Sequence, residues 1–177
     1  MRALIVTGKY VTDCEYTYAL YFLQGEGYQV DVATIDGKDT TGILGEKVKA
    51  THAIIDINIY NYDILILPGG AKAMEYLRQE QTVLNCIFQC TKTIGSICHG
   101  AQLLISAGLV KGKRISGYYS IQDDITNAGG IYVDAPYVTD GRIVTSPHYR
   151  YLGQWMKEVI RVSRSPRGVG EGDYGVE

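Results

Sequence analysis

The segment Asp63-Ile64-Leu65-Ile66-Leu67 is an unbroken apolar run that stops at Pro68-Gly69-Gly70. It is too short for an ordinary helix, and its lack of alternation predicts a strand buried on both faces, as in a parallel sheet covered by helices. A second run, Thr93-Ile94-Gly95-Ser96, leads directly to Cys98. Short β-branched runs alternate with amphipathic stretches around these two. Arg2–Thr7 reads as a first strand, Cys14–Gln24 as a first helix closed by Gly25 and Gly27, and Val30–Thr34 as a second strand. Residues 42–59, with the alternating "EKVKATHAII", predict a small antiparallel excursion. Further on, Met74–Leu77 and Thr82–Cys90 predict one interrupted helix, Ala101–Ser106 a helix stopped at Ala107-Gly108, and Ile121–Ala128 another. Strands are expected near Ile131–Val133 and Ile143–Thr145, with a closing helix over Leu152–Val162. The pattern is that of an α/β protein with a mainly parallel sheet. We expect one domain over 1–163 and a glycine-rich tail over 164–177, mobile or docked on a neighbour.

Composition narrows the function classes. The net charge of −2 over 177 residues, with no run of five like charges, argues against nucleic acid and membrane surfaces as partners. No apolar segment reaches the roughly 20 residues of a membrane span, and the apolar N-terminus gives way too soon for a signal-peptide core, so a cytoplasmic location is expected. Four cysteines (Cys14, Cys86, Cys90, Cys98) do not form a secreted disulfide framework. Cys86 and Cys90 are four apart in a helical stretch without a second pair, and His52, His99 and His148 stand well apart. We therefore expect neither metal nor cofactor.

The chemistry concentrates at Gly95-Ser96-Ile97-Cys98-His99-Gly100. A strand turning at once into a helix strains the residue at its tip and demands small residues two positions before and after. Ser96 and Gly100 meet that demand, giving the thiol version of the Gly-x-Ser-x-Gly elbow. A thiol at a helix N-terminus gains from unsatisfied N–H groups, so a thiolate nucleophile with a pKa below the usual ~8.5 is expected at Cys98. The N–H of His99 and those of the facing Gly69-Gly70 loop could donate to an oxyanion. In open parallel sheets ligands bind beyond the carboxyl ends of the strands, where both Pro68-Gly69-Gly70 and Cys98 fall. His148, after a late strand in Pro147-His148-Tyr149-Arg150, is a candidate for the same pocket, and a surface loop position is an equal reading. Fifteen tyrosines against two phenylalanines, among them Tyr16, Tyr18 and Tyr21 on the first helix, suit subunit interfaces and pocket rims.

The stretches "ALIVTGKYVTDCEY", "DILILPGGAKAMEYLR", "GSICHGAQLLISAGLVKGKR" and "DDITNAGGIYVDAPYVTDGRIVTS" resemble the ThiJ/PfpI family of the class I glutamine-amidotransferase-like superfamily, up to about Arg161. The likeness is greatest to its intracellular protease, glyoxalase and deglycase branch. It implies a doubly wound, flavodoxin-like, mainly parallel sheet flanked by helices, with Cys98 as nucleophile and His99 as its partner. It also implies that Glu15 hydrogen-bonds the reactive thiol. Two adjacent anions in a desolvated site disfavour each other, so Glu15 would be protonated and able to shuttle protons. Glu75 matches the acid that completes a Cys-His-Glu triad and can come from a neighbouring subunit. Relatives place this acid one residue nearer the double glycine. Thr12 stands where relatives often carry another acid. The resemblance further implies a homo-oligomer (dimer, trimer or hexamer) with the site near a subunit interface.

The first functional expectation is a cofactor-independent enzyme on small reactive carbonyl compounds, glyoxalase or deglycase in type, through a hemithioacetal on Cys98. The second is a cysteine peptidase acting on short peptides through Cys98, His99 and Glu75. The third is a redox-sensing stress or chaperone protein in which Cys98 is oxidised.

Overall fold

The computed structural model describes residues 1–165. Its main sheet has seven strands: β1 (Arg2–Val6), β2 (Gln29–Thr34), β5 (His52–Ala53), β6 (Ile64–Leu67), β7 (Thr93–Ile97), β10 (Val138–Asp140) and β11 (Ile143–Ser146). They lie in the order β10-β11-β7-β6-β1-β2-β5, all parallel except the edge strand β10. This is the expected doubly wound sheet. The parallel strands run outward in chain order in both directions from the β1/β6 junction, β1-β2-β5 on one side and β6-β7-β11 on the other, which makes that junction the crevice where ligands bind in such folds.

The runs without alternation are buried on both faces, and successive residues face opposite layers. Ala3 and Ile5 of β1 and Ile64 and Ile66 of β6 pack with α1 (Asp13–Gly25) and α6 (Leu152–Arg164). Leu4, Val6, Leu65 and Leu67 join the opposite core, under α2 (Ala71–Leu77), α3 (Gln81–Gln89), α4 (Ala101–Ser106) and α5 (Gln122–Asn127). Trp155 of α6 is wholly buried, and its indole N–H donates to the Val144 carbonyl at 3.2 Å. That bond removes the cost of burying a polar donor.

Several elements differ from the sequence expectation. The antiparallel excursion is confined to β3 (Thr40–Thr41) and β4 (Lys47–Val48), after which β5 pairs parallel with β2 as the sheet edge. The expected interrupted helix is two helices, α2 and α3, because Glu80 leaves the helical conformation (φ −91, ψ 110). The strand expected near Ile131–Val133 is β9 (Ile131–Tyr132), in a separate ribbon with β8 (Arg114–Ile115). β8 and β10 have no separate signal in the sequence reading. Arg164 still belongs to α6, so the expected tail begins one residue late, and 166–177 of it lie outside the described residues. Cys86 and Cys90 are buried core residues, as their helical spacing allows.

Candidate active site

Cys98 sits where β7 ends. Ile97 is extended (φ −134, ψ 146), and Cys98 then takes a left-handed φ of 59, one of two non-glycine residues with positive φ among the described residues. Such a conformation costs on the order of 1–3 kcal/mol and persists because the surroundings enforce it. A short 3₁₀ turn over Cys98–Gly100 leads into α4. The glycine of the motif has a steric reason. A Cβ at Gly100 would run into the Leu67 carbonyl oxygen and the Ser96 hydroxyl, so no larger residue fits beside the end of β6.

Glu15 reaches the thiol from the first turn of α1. It is wholly buried, and Oε2 accepts the Gly69 N–H at 2.7 Å. Oε1 is also buried and has no regular hydrogen-bond partner. The carboxyl and the Cys98 thiol are close enough for each to bear on the other's ionisation. Gly69 lies between them: a Cβ there would sit 2.8 Å from both the Cys98 Cβ and Glu15 Oε2. Burial is the main cause that lifts Glu15 to about 7, against the pull of its bonds to Gly69 and Cys98.

The thiol departs from the sequence expectation. Burial pushes Cys98 above the ordinary thiol value, and a charged Glu15 pushes it further. The N–H groups of His99 and Gly70 pull it down, but less than burial raises it. The donors at the helix end lower the thiol's pKa, but desolvation at 7 % exposure outweighs them. Thiol and carboxyl therefore form one titrating pair, in which a proton on Glu15 removes the repulsion and favours the thiolate.

The glycine loop divides its work. Gly69 donates its N–H to Glu15, while the N–H of Gly70, together with that of His99, bears on the sulfur. Of the two glycines, Gly70 is the one whose N–H is directed to the reacting centre.

His99 is half-buried, with Nδ1 3.4 Å from the Cys98 sulfur, so its side chain as well as its backbone attends the thiol. Its Nε2 lies 3.4 Å from the Ser120 hydroxyl, and burial lowers its pKa. The ring stacks on Tyr118 (centroids 4.6 Å apart), which stacks in turn on His148 at 6.2 Å. His148 is therefore at the rim, one ring removed from His99, and its Nδ1 accepts the Arg150 N–H at 3.2 Å. Glu75 is exposed on α2, and no hydrogen bond or ion pair joins it to His99 or Cys98 among the described residues. Within one protomer the position behind His99 belongs to Ser120. Tyr118 and Ser120 escaped the sequence reading, although "GYYS" is a cluster of tyrosine and hydroxyl in a chain rich in tyrosine.

Comparison with known proteins gives the family and the fold. The family model described as the DJ-1/PfpI family matches residues 1–162. "Deglycase TK1284" of Thermococcus kodakarensis is 36% identical over 93% of this chain and 100% of its own length. "Deglycase PfpI" of Pyrococcus furiosus is 34% identical over 92% of this chain and 99% of its own. Among solved structures, DJ-1 of Schizosaccharomyces pombe superposes with a TM-score of 0.84 at 18% identity, covering 91% of this chain and 90% of that one, a likeness of fold alone.

Proposed function

Because the chain belongs to the DJ-1/PfpI family, we propose that it is a cofactor-independent enzyme whose Cys98 attacks small reactive carbonyl compounds, in the manner of a glyoxalase or deglycase. The observation that carries this reading is the buried Cys98–Glu15 pair, in which burial lifts the carboxyl to about 7. A general acid and base works best when its pKa is near the working pH.

With methylglyoxal, the thiol proton passes to Glu15 and the sulfur forms a bond to the aldehyde carbon. The former carbonyl oxygen takes a proton from Glu15, giving a hemithioacetal. Ionised Glu15 then removes the hydrogen of the sulfur-bearing carbon as a proton, and the electron pair forms the double bond of an enediol as Glu15 returns that proton to the ketone oxygen. The hydroxyl on the sulfur-bearing carbon next gives its proton, through Glu15, to the neighbouring carbon, and the carbonyl left behind is that of a thioester. The aldehyde carbon is now oxidised to the acyl level and the ketone reduced to an alcohol, so no external oxidant is needed. Water breaks the sulfur–carbon bond, the thiol recovers its proton, and lactate leaves. In a glycated adduct the same carbon carries an amine, which leaves with a proton as sulfur adds. The N–H groups of Gly70 and His99 are the donors available to the developing oxyanion.

The peptidase alternative needs an acid behind His99, where Ser120 stands in this protomer. That reading requires a second copy to bring Glu75 or another carboxylate to His99. The exposed aromatic side chains Tyr18, Tyr21, Tyr119 and Tyr149 support an oligomer.

The test is incubation with methylglyoxal while lactate is followed. Turnover in the wild type and none above background in Cys98→Ala supports the reading, whereas equal turnover in both overturns it.

A further inference from the structure

Glu15 is the third residue of α1, so its reach to Gly69 depends on where that helix begins. The N-cap, Thr12, contributes no side-chain capping bond. What fixes the first turn is Asp13, the first helical residue. Its Oδ2 accepts the Leu44 N–H and its Oδ1 the Glu46 N–H, each at 2.8 Å. Both donors belong to the loop joining β3 and β4. The same hairpin grips the chain just before the helix: the Tyr10 N–H donates to the Thr41 carbonyl at 2.9 Å and the Ile43 N–H to the Val11 carbonyl at 3.0 Å. On the opposite side, the Thr12 N–H donates to the Gly69 carbonyl at 3.1 Å. Residues 10–13 are thus held between the hairpin and the loop that carries the Gly69 and Gly70 N–H groups.

The clamp is demanding in its chemistry. Two N–H groups that approach different oxygens require two acceptors, which a carboxylate has and an amide lacks. Asparagine would direct an NH₂ group at one of the two donors. From the other side, Gly42 has no room for a side chain, because a Cβ would collide with the Asp13 carboxylate.

We propose that Asp13 is a positioning residue for Glu15, through which the β3–β4 hairpin sets the distance between the Glu15 carboxyl and the Cys98 thiol. It touches neither substrate nor thiol and acts by fixing the start of α1. This rests on the proposed function for its consequence in turnover, but its effect on the thiol is independent of which substrate is used. The titratable groups that share an electrostatic link with Glu15 are Cys98, next to it, and Cys14, its neighbour on α1; His99 lies beyond, its Nδ1 3.4 Å from the Cys98 sulfur.

The experiment measures the rate of Cys98 alkylation by iodoacetamide as a function of pH, by peptide mass so that exposed Cys14 is counted separately. It compares wild type, Asp13→Asn, Glu15→Gln and the double variant, with methylglyoxal turnover measured on each. Asp13→Asn is expected to move the midpoint of the alkylation profile and lower kcat roughly ten- to a hundred-fold, the effect of misplacing a group by about 1 Å. In the Glu15→Gln background it should change the profile no further. Gly42→Ala, which presses on the same clamp from the hairpin, should reproduce the shift and serves if Asp13→Asn does not fold. A profile unchanged by either substitution, or a shift of equal size with and without Glu15, overturns the proposal. If the profile responds as expected but no variant and no wild type turns over methylglyoxal, the substrate reading fails and the positioning role stands.

Discussion

Two buried glutamates on helices of the same layer, α1 and α6, are treated in opposite ways. Glu158, on α6, is 5 % exposed and fully engaged: Thr139 donates to Oε1 at 2.6 Å, and Arg161 donates through Nε to Oε2 and through Nη2 to Oε1, each at 2.7 Å. Although burial opposes ionisation, the Arg161 guanidinium and the Thr139 hydroxyl hold its carboxyl below the usual range. Glu15 is more deeply buried, yet it has one backbone N–H, an unpartnered second oxygen and a thiol for a neighbour. Its pKa goes up instead, to about 7. A carboxylate that serves the fold is satisfied. A carboxyl left short of partners beside a buried thiol keeps a proton available, and that difference marks the candidate site.

The largest effect should come from removing the proton carrier. Glu15→Gln is expected to lower carbonyl turnover by about 10²–10⁴-fold, the usual worth of a positioned acid or base. Its thermal midpoint at pH 8 should stay level or rise, because no buried charge has to be accommodated. Glu158→Gln reverses the pattern, with turnover kept and stability lost. Steady-state kinetics and melting curves on the two variants side by side check both halves, and equal behaviour would erase the distinction.

The pH dependence sharpens the contrast, since the two acids contribute with opposite sign. A raised folded pKa means that the folded state holds its proton after the unfolded chain has lost it. Glu15 therefore costs nothing below pH 4.5 and progressively destabilises the fold up to about pH 7, by about 3 kcal/mol at the plateau. Glu158, with its pKa lowered, stabilises the fold above the ordinary carboxylate range, and that contribution disappears as the pH falls through its folded value. Urea unfolding of the wild type and Glu15→Gln between pH 5 and pH 8 should show the stability difference between them opening as the pH rises. The smallest effect is the cost of Glu158→Gln itself, about 1–3 kcal/mol, reduced from that of a wholly buried pair because Arg161 is 44% exposed.

What was legible in the sequence was what sterics dictate locally. The unbroken apolar runs announced two-face burial, and β1, β6 and β7 are buried as such strands must be. The glycine of the small-x-Cys-x-Gly spacing is demanded because the end of β6 crowds the elbow, so the place of the candidate nucleophile could be found from six residues. Glu15 was different, since nothing in residues 13–15 says that a carboxyl will meet a thiol 83 positions later, and only the family resemblance pointed to it. The thiol's pKa was misjudged because helix ends can be seen in a sequence and desolvation cannot. Tyr118 and Ser120 lie between β8 and α5, Ser120 in a short 3₁₀ turn over Tyr119–Ile121, and β8 carried no signal in the sequence. Glu75 was proposed on a near match to a motif, and the fold turns it outward on α2. The Asp13 clamp was invisible for the same reason as Glu15, since its partners are backbone N–H groups more than thirty residues away.

The central claim is that Glu15 keeps its proton into the neutral range because it is buried beside Cys98. Carbon-13 NMR of glutamate-labelled protein, titrated from pH 3 to pH 9, measures that directly. One side-chain carboxyl is expected to titrate near pH 7 and to be missing in Glu15→Gln, while Glu158 titrates below the ordinary glutamate value. A wild-type spectrum in which every glutamate titrates below about pH 5 would contradict it.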